Sequence, residues 1–284
     1  MTDTARLLAA RSFVELGARQ RARELLDDGS FRELIGPFDR VISPWLPQQG
    51  IVPQADDGVV VAKGSINGQP ALVAAIEGAF QGGSMGEVGG AKIAGALELA
   101  VEDNRQGIPT CAVLLLETGG VRLQEANLGL AAIAEIQAAI VELRKYQPVI
   151  GLIAGSVGCF GGMSIAAGLC SHLIVTREAR LGLNGPQVIE QEAGLSEYDS
   201  RDRPFIWSLT GGEQRDASGL VDAYVADDIA AIRETLQGLL AQPGQGLPRS
   251  RRHAWFLERL ARLGSDSEQL DAAAVRALYQ GEQQ

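Results

Sequence analysis

The chain has 284 residues, 46% of them hydrophobic, enough to bury a sizeable core in one large domain or two smaller ones. A formal net charge of −10 and a pI near 4.8 argue against a nucleic-acid binder, although an acidic whole leaves room for a local anion site made of backbone amides. The three cysteines, Cys111, Cys159 and Cys170, lie in apolar surroundings with no C-x-x-C pair. This argues against zinc or redox chemistry and for reduced thiols in a cytoplasmic protein.

Met1 leads into Thr-Asp-Thr-Ala-Arg, with neither a basic n-region nor an apolar h-region, so no signal peptide is expected. Leu7, Leu8, Val14, Leu16, Leu25 and Leu26, spaced among Arg and Glu, predict a helix over 3–28 that Asp28-Gly29-Ser30 stops. Arg19, Arg21 and Arg23 on it are candidates for an anionic ligand, or simply a solvated face. The run Ser43 to Gln54 reads as a loop. Val59–Ala62 and Ala71–Ile76 read as strands around an Asn67-Gly68 hairpin turn. Ile93, Leu97 and Val101 mark a helix ending near Gly107-Ile108-Pro109, and Cys111–Leu116 reads as a buried strand. After Thr118-Gly119-Gly120-Val121, a long helix carries Ile133, Ile136, Ile140 and Leu143, and Pro148 ends it. Then come a strand (Val149–Ala154), a glycine turn, a short helix opening at Gly161-Gly162, and a strand (His172–Thr176). The uncharged run from Pro148 to Ser171 is long enough to raise the membrane question. Its glycines and its strand–turn–helix punctuation favour a buried core segment. Leu181–Leu183 is a short strand, 186–206 is polar and mixed, and 219–225 gives a turn and a last strand. Helices are expected over 228–240 and 250–280, with a linker at 243–248 and a basic cluster at Arg249, Arg251, Arg252 and His253. Buried strands alternating with helices predict an α/β protein with parallel pairing.

Few side-chain motifs carry chemistry. Gly82-Gly83-Ser84-Met85-Gly86 fits the G-x-S-x-G nucleophile elbow, but Glu77–Gln81 separate it from the preceding strand, and the two histidines, His172 and His253, fall in a strand and at a helix start. P-loop, G-x-G-x-x-G and metal-ligand spacings are absent from the sequence. Glu117, Glu125, Glu190 and Glu192 are each an acid–base candidate or a cap or pair partner. What remains is backbone chemistry. Two Gly-Gly turns, each between a buried strand and a helix, are placed to offer N–H donors to a carbonyl oxygen that becomes an enolate. Close packing explains a glycine pair equally well.

At these turns the chain resembles the crotonase-like acyl-CoA carboxyltransferase superfamily, from about Ala18 to Val225. The segment 18–31 is similar to the amino-terminal helix of acyl-CoA carboxylase β chains. Gly82–Gly86, Thr118–Glu125 and Ala179–Gln191 are similar to the carboxyltransferase β subunit of bacterial acetyl-CoA carboxylase. Within the superfamily the whole chain, including Pro44–Val61 and Gly158–Met163, resembles the β subunits of biotin-independent malonate decarboxylases, and it lacks the four-cysteine zinc ribbon of the carboxylase β subunit. The resemblance implies an α/β crotonase-like spiral of ββα units of the carboxyltransferase N-domain type. An amino-terminal helical segment (1–50), the carboxyltransferase domain (51–240) and a carboxy-terminal helical extension (241–284) are expected. It also implies a lyase subunit that, with a homologous γ subunit, decarboxylates a malonyl thioester on an acyl carrier protein. That carrier bears a CoA-like phosphoribosyl-dephospho-CoA arm, and an acyl-transferase α subunit completes the complex. No covalently bound cofactor, metal, nucleic acid or membrane is expected. The family's oxyanion-hole turns map onto Gly119, Gly120 and Val121 and onto Phe160, Gly161 and Gly162. Gly82, Gly83, Ser84, Arg19 and Arg23 are the expected contacts of the arm. The alternatives are the carboxyltransferase half of a biotin-dependent acetyl-CoA carboxylase, a non-catalytic holder of a carrier protein, and a serine hydrolase.

Overall fold

A computed structural model of the chain describes residues 9–241, 249–262 and 271–279. A seven-stranded sheet runs through it in sequence order: β1 (Arg32–Leu34), β2 (Val59–Ile66), β3 (Gln69–Ile76), β4 (Cys111–Leu115), β5 (Val149–Ile153), β6 (His172–Thr176) and β7 (Ala223–Val225). β1, β2 and β3 pair antiparallel, and β3 to β7 pair parallel. The β2–β3 hairpin turns on Asn67 (φ 51°) and Gly68 (φ 77°), the two positive φ values that a two-residue turn matching strand twist requires. Asp27 holds the turn by accepting from the Asn67 and Gly68 amides at 2.9 and 2.8 Å.

The strands β3 to β6 are buried on both faces along most of their length, and their side chains alternate between two cores. Leu72, Ala74, Ala112, Leu114, Leu173 and Val175 face α2 (Glu87–Arg105), α3 (Asn127–Leu143) and α4 (Gly162–Leu169). Val73, Ala75, Val113, Leu115, Ile150 and Leu152 face α1 (Ala18–Leu25) and α8 (Ile229–Ala241). Between β6 and β7 lie α5 (Pro186–Ala193), α6 (Arg203–Thr210) and α7 (Gly212–Ala217). Beyond α8 come α9 (His253–Ala261) and α10 (Ala272–Tyr279).

The sheet strands do not lead straight into their helices. After β3, β4, β5 and β6 the chain makes one more extended contact in a second row, bridging Met85 to Val121, Thr118 to Cys159, and Cys159 to Leu181, before the next helix begins. Strand, second-row residue and helix repeat around one axis of chain progression. This is the expected α/β spiral of ββα units. The strand–glycine–helix unit read twice in the sequence therefore recurs after β3 as well.

Three local expectations change. The predicted 3–28 helix is interrupted: from Ala10 onward it is α1 alone, because the Asp227 carboxylate accepts from the Ser12 hydroxyl and from the Phe13 and Val14 amides, fixing 12–14 as a non-helical turn. The polar run 186–206 contains α5 and the first half of α6; Pro at the start of each supplies the φ of a first helical turn. Among the described residues the predicted 250–280 helix holds α9 and α10; 263–270 between them, 243–248 and the first eight residues lie outside the described residues. Among the described residues no helix is long and apolar enough to cross a membrane.

All three cysteines are buried. Burial pushes the Cys111 thiol up to about 11, that of Cys170 up to about 12, and that of Cys159 higher still. In the native chain at about pH 8 none of them is expected to react with a water-soluble disulfide reagent, and all three are expected to react once it is denatured. A thiol titrating rapidly in the native protein would contradict this packing.

Candidate functional site

The two predicted glycine turns meet. The first leaves β4 through Glu117 and runs from Thr118 to Arg122; the second leaves β5 and runs from Gly158 to the start of α4. Thr118 donates to the Gly158 carbonyl (2.7 Å) and accepts from the Phe160 amide (3.0 Å), which locks them side by side. Gly120 has φ +108° and Gly161 φ +60°. A Cβ on Gly161 would stand 3.3 Å from the Gly120 Cα and 3.9 Å from the Val121 nitrogen, and one on Gly120 would stand 3.1 Å from the Phe160 oxygen. Both turns thus need glycine twice over, for the backbone angle and for the approach.

The amides of the six predicted donors divide. Gly119 donates to the Gly82 carbonyl (2.9 Å), Phe160 to that of Thr118 and Gly161 to that of Leu183 (2.7 Å). Gly120 donates to the Thr118 hydroxyl at 3.1 Å. These four hold the turns together. Among the described residues neither the Val121 nor the Gly162 amide has an acceptor in the chain. Val121 is skipped because its neighbours make the second-row bridge: Met85 donates to the Gly120 carbonyl and Arg122 to that of Met85. Gly162 is the first residue of α4, where an amide lacks an intrahelical partner and the helix dipole is positive. Both residues are half-buried. Two free N–H groups on two touching turns can hold one oxygen and stabilise negative charge on it.

The first turn is anchored from beneath by charges that sequence reasoning did not join. Arg122 is 1% exposed. Its guanidinium donates to Asp57 (2.7 Å), Glu125 (3.1 Å), the Ser84 carbonyl (2.9 Å) and the Ser84 hydroxyl (3.3 Å). The second oxygen of Asp57 accepts from the Gly89 amide, and that of Glu125 from the Glu87 amide, both in the first turn of α2. Burial pushes the Asp57 carboxyl above the usual carboxylate range, against the pull of Arg122. Glu117, next to Thr118, accepts from buried Arg21 of α1 (2.8 Å) and from the Val157 amide (2.7 Å). Arg122 and Glu125 lie inside the 118–125 motif, but Asp57 carried no signal beyond a turn-like Asp-Asp-Gly. Of the four acid–base candidates, Glu117 and Glu125 are internal ion-pair partners, and Glu190 accepts from the Ser200 amide.

Ser84 does not form a nucleophile elbow. Its hydroxyl faces Arg122, and among the described residues no histidine bonds to it. His172 opens β6, at the amino-terminal end of the parallel strands, opposite the end from which the loop after β3 leaves. Gly83 is packed so that a Cβ would stand 1.9 Å from the Glu117 carbonyl, and Gly82 is exposed, its own carbonyl taken by Gly119.

Arg19 and Arg23 line a cavity of about 680 Å³ between α1 and the 54–56 loop, together with Gln54, Asp56, Glu77 and Ala79. The lining stops at Ala79 and does not include Gly82, Gly83 or Ser84. The Arg19 charge is already met by a forked pair with Glu33 (2.7 and 2.8 Å) and by Asp56 (2.9 Å). Arg23 is exposed, with its guanidinium 4.7 Å from the Phe31 ring centroid. In the basic cluster, Arg249 is bound to Asp222 and to the Leu220 carbonyl.

Residues 14–254 match the carboxyl transferase domain. The chain is 41% identical over 255 residues to the malonyl-S-ACP:biotin-protein carboxyltransferase MADC of Malonomonas rubra, covering 86% of this chain and 80% of that protein. It is 74% identical to a chain in the crystal structure of a Pseudomonas malonate decarboxylase hetero-tetramer in complex with malonate, with a TM-score of 0.94, over 98% of this chain and 100% of that one. It is 66% identical to a chain of the Pseudomonas malonate decarboxylase MdcD–MdcE hetero-dimer, with a TM-score of 0.77, over 90% of this chain and 99% of that one.

Proposed function

Starting from a chain that belongs to the carboxyl transferase domain family, we propose that it is a malonyl-thioester decarboxylase subunit whose Val121 and Gly162 amides hold the thioester oxygen. The observation that carries this is the meeting of two glycine turns with one free N–H on each. The 74% identity to a chain of a malonate decarboxylase assembly supports it.

In this reading the bond between the α-carbon and the malonyl carboxylate breaks heterolytically. Its electron pair enters the thioester as an enolate, carbon dioxide departs, and protonation of the α-carbon gives the acetyl thioester. The chain's own part is to receive the charge that grows on the thioester oxygen. Donors fixed before the reaction need no reorganisation during it, and each is worth about 10²–10³ in rate. The substrate arrives on a carrier protein's CoA-like arm. Exposed Arg23, which lines the α1 cavity, is the one of the two expected arginines left to meet its phosphates, since Arg19 is already paired. A homologous subunit, an acyl carrier protein and an acyl-transferase subunit complete the proposed assembly.

A second reading is supported by the Malonomonas rubra relative, whose described activity moves the carboxyl group to a biotin protein. The two share the enolate and differ in where the carboxyl group goes. The test is turnover of a malonyl thioester by the chain with its homologous partner in the presence of a biotinylated carrier protein, with and without avidin. Release of carbon dioxide unaffected by avidin is the expected result. Avidin-sensitive turnover would move the assignment to the second reading, and no consumption of the thioester would overturn both.

A further inference from the structure

We propose that Arg122 is a positioning residue for the Val121 amide, acting through the Ser84–Met85 segment; this rests on the oxyanion reading above. Val121 sits in the second row only because Met85 is held opposite it, donating to the Gly120 carbonyl and accepting from the Arg122 amide at 2.7 and 2.8 Å. Two backbone bonds between short loop segments are a weak tether, and no regular strand extends them. The Arg122 side chain adds the missing restraint. It reaches back across the pair and binds both the carbonyl and the hydroxyl of Ser84, the residue before Met85. One residue thereby holds the Met85 strand from its backbone and from its side chain.

The guanidinium is itself fixed on every side. Asp57 and Glu125 take one of its nitrogens, and each carboxylate is pinned by an amide of the first turn of α2, where the helix dipole favours negative charge. The Phe80 ring centroid lies 5.2 Å from the guanidinium carbon. Gly86 leaves the space: a Cβ there would stand 2.4 Å from Glu125 and 2.7 Å from Arg122. With Arg122 at 1% exposure and Asp57 equally enclosed, this group does not touch substrate and acts by placement. The arrangement needs a planar fork that serves two carboxylates and a carbonyl at once. Lysine supplies the charge but not the fork.

The test uses the chain assembled with its homologous partner and compares Arg122→Lys, Glu125→Gln and Ser84→Ala with the wild type. Hydrogen exchange of the peptide spanning 118–126 is read alongside kcat and KM for the malonyl thioester. In Arg122→Lys and Glu125→Gln, exchange over 118–126 is expected to accelerate while β4 and β5 keep their protection. kcat is expected to fall about 10²-fold, with KM within about threefold, as displacement of a donor by about 1 Å predicts. Ser84→Ala keeps the carbonyl contact and is expected to lose less than about tenfold. If Arg122→Lys assembles poorly, Glu125→Gln decides, because it preserves volume and an acceptor for the Glu87 amide. Unchanged exchange at 118–126, loss of protection throughout the chain, or an unchanged kcat would each overturn the proposal. Should the wild type fail to turn over a malonyl thioester, the decarboxylase reading falls, and the exchange result alone still decides whether Arg122 holds this turn.

Discussion

Gly161→Val is expected to abolish measurable turnover while leaving assembly with the partner intact. Gly161 has φ +60° and ψ −145°, a region that L side chains avoid, so any substitution twists the entry to α4. The added carbon would stand 3.3 Å from the Gly120 Cα and 3.9 Å from the Val121 nitrogen. The two branches of valine beyond it would fill the space in front of the Val121 amide. The substitution therefore acts on both proposed donors at once, reorienting Gly162 and obstructing Val121. One lost donor costs about 10²–10³ in rate, and two acting on the same oxygen cost more. The strain is local, on the order of 1–3 kcal/mol, and falls outside the strands that form the two cores. Gly168→Ala provides the control on the same helix: nothing lies within 4 Å of its Cβ, so turnover should be unchanged and α4 slightly stabilised. Size-exclusion chromatography of the assembled complex and steady-state assay of both variants check this. Gly161→Val with normal turnover would sink the oxyanion assignment.

The contrast between these two glycines shows what the sequence could and could not reveal. The turns themselves were legible, because a glycine pair between an apolar strand and a helix has a local signature, as Asn67-Gly68 does for the hairpin. Which amides stay free was not legible. Gly119, Phe160 and Gly161 are engaged by Gly82, Thr118 and Leu183, partners set by the second row of bridges and not by any neighbouring residue. The same holds for charge. Arg122 lies 65 residues from Asp57, and Arg21 lies 96 from Glu117, so neither pair leaves a spacing to read. The amino-terminal helix was over-extended for a related reason. Leucine spacing favours helix locally, but Asp227, more than two hundred residues away, captures the Ser12–Val14 backbone. Local propensity gave way to a tertiary contact that satisfies several backbone donors at once.

Glu117→Leu is expected to cost about 3–5 kcal/mol of stability, because it leaves the Arg21 guanidinium buried without its counter-charge. Glu117 is 6% exposed and Arg21 8%. The fold makes room for the carboxylate: a Cβ on Gly155 would stand 1.5 Å from it, and one on Gly78 2.6 Å from the Glu117 Cγ. Its second oxygen takes the Val157 amide, so leucine also orphans a backbone donor. In a chain of this size the loss should lower the melting temperature by on the order of 10 °C. Arg21 also donates to the Phe13 and Val14 carbonyls, which ties α1 to the turn that precedes it. The double variant Glu117→Leu, Arg21→Met removes both charges from the interior and should recover the part of the loss that comes from the unpaired charge, since a buried pair exchanged for apolar groups of similar volume is close to neutral, while the Val157 amide stays without its acceptor. Assaying that variant well below its melting temperature separates two roles for Glu117, which is the residue preceding Thr118. If the carboxylate matters only as the counter-charge of Arg21, stability and turnover return together. If its charge serves the chemistry, stability returns and turnover does not.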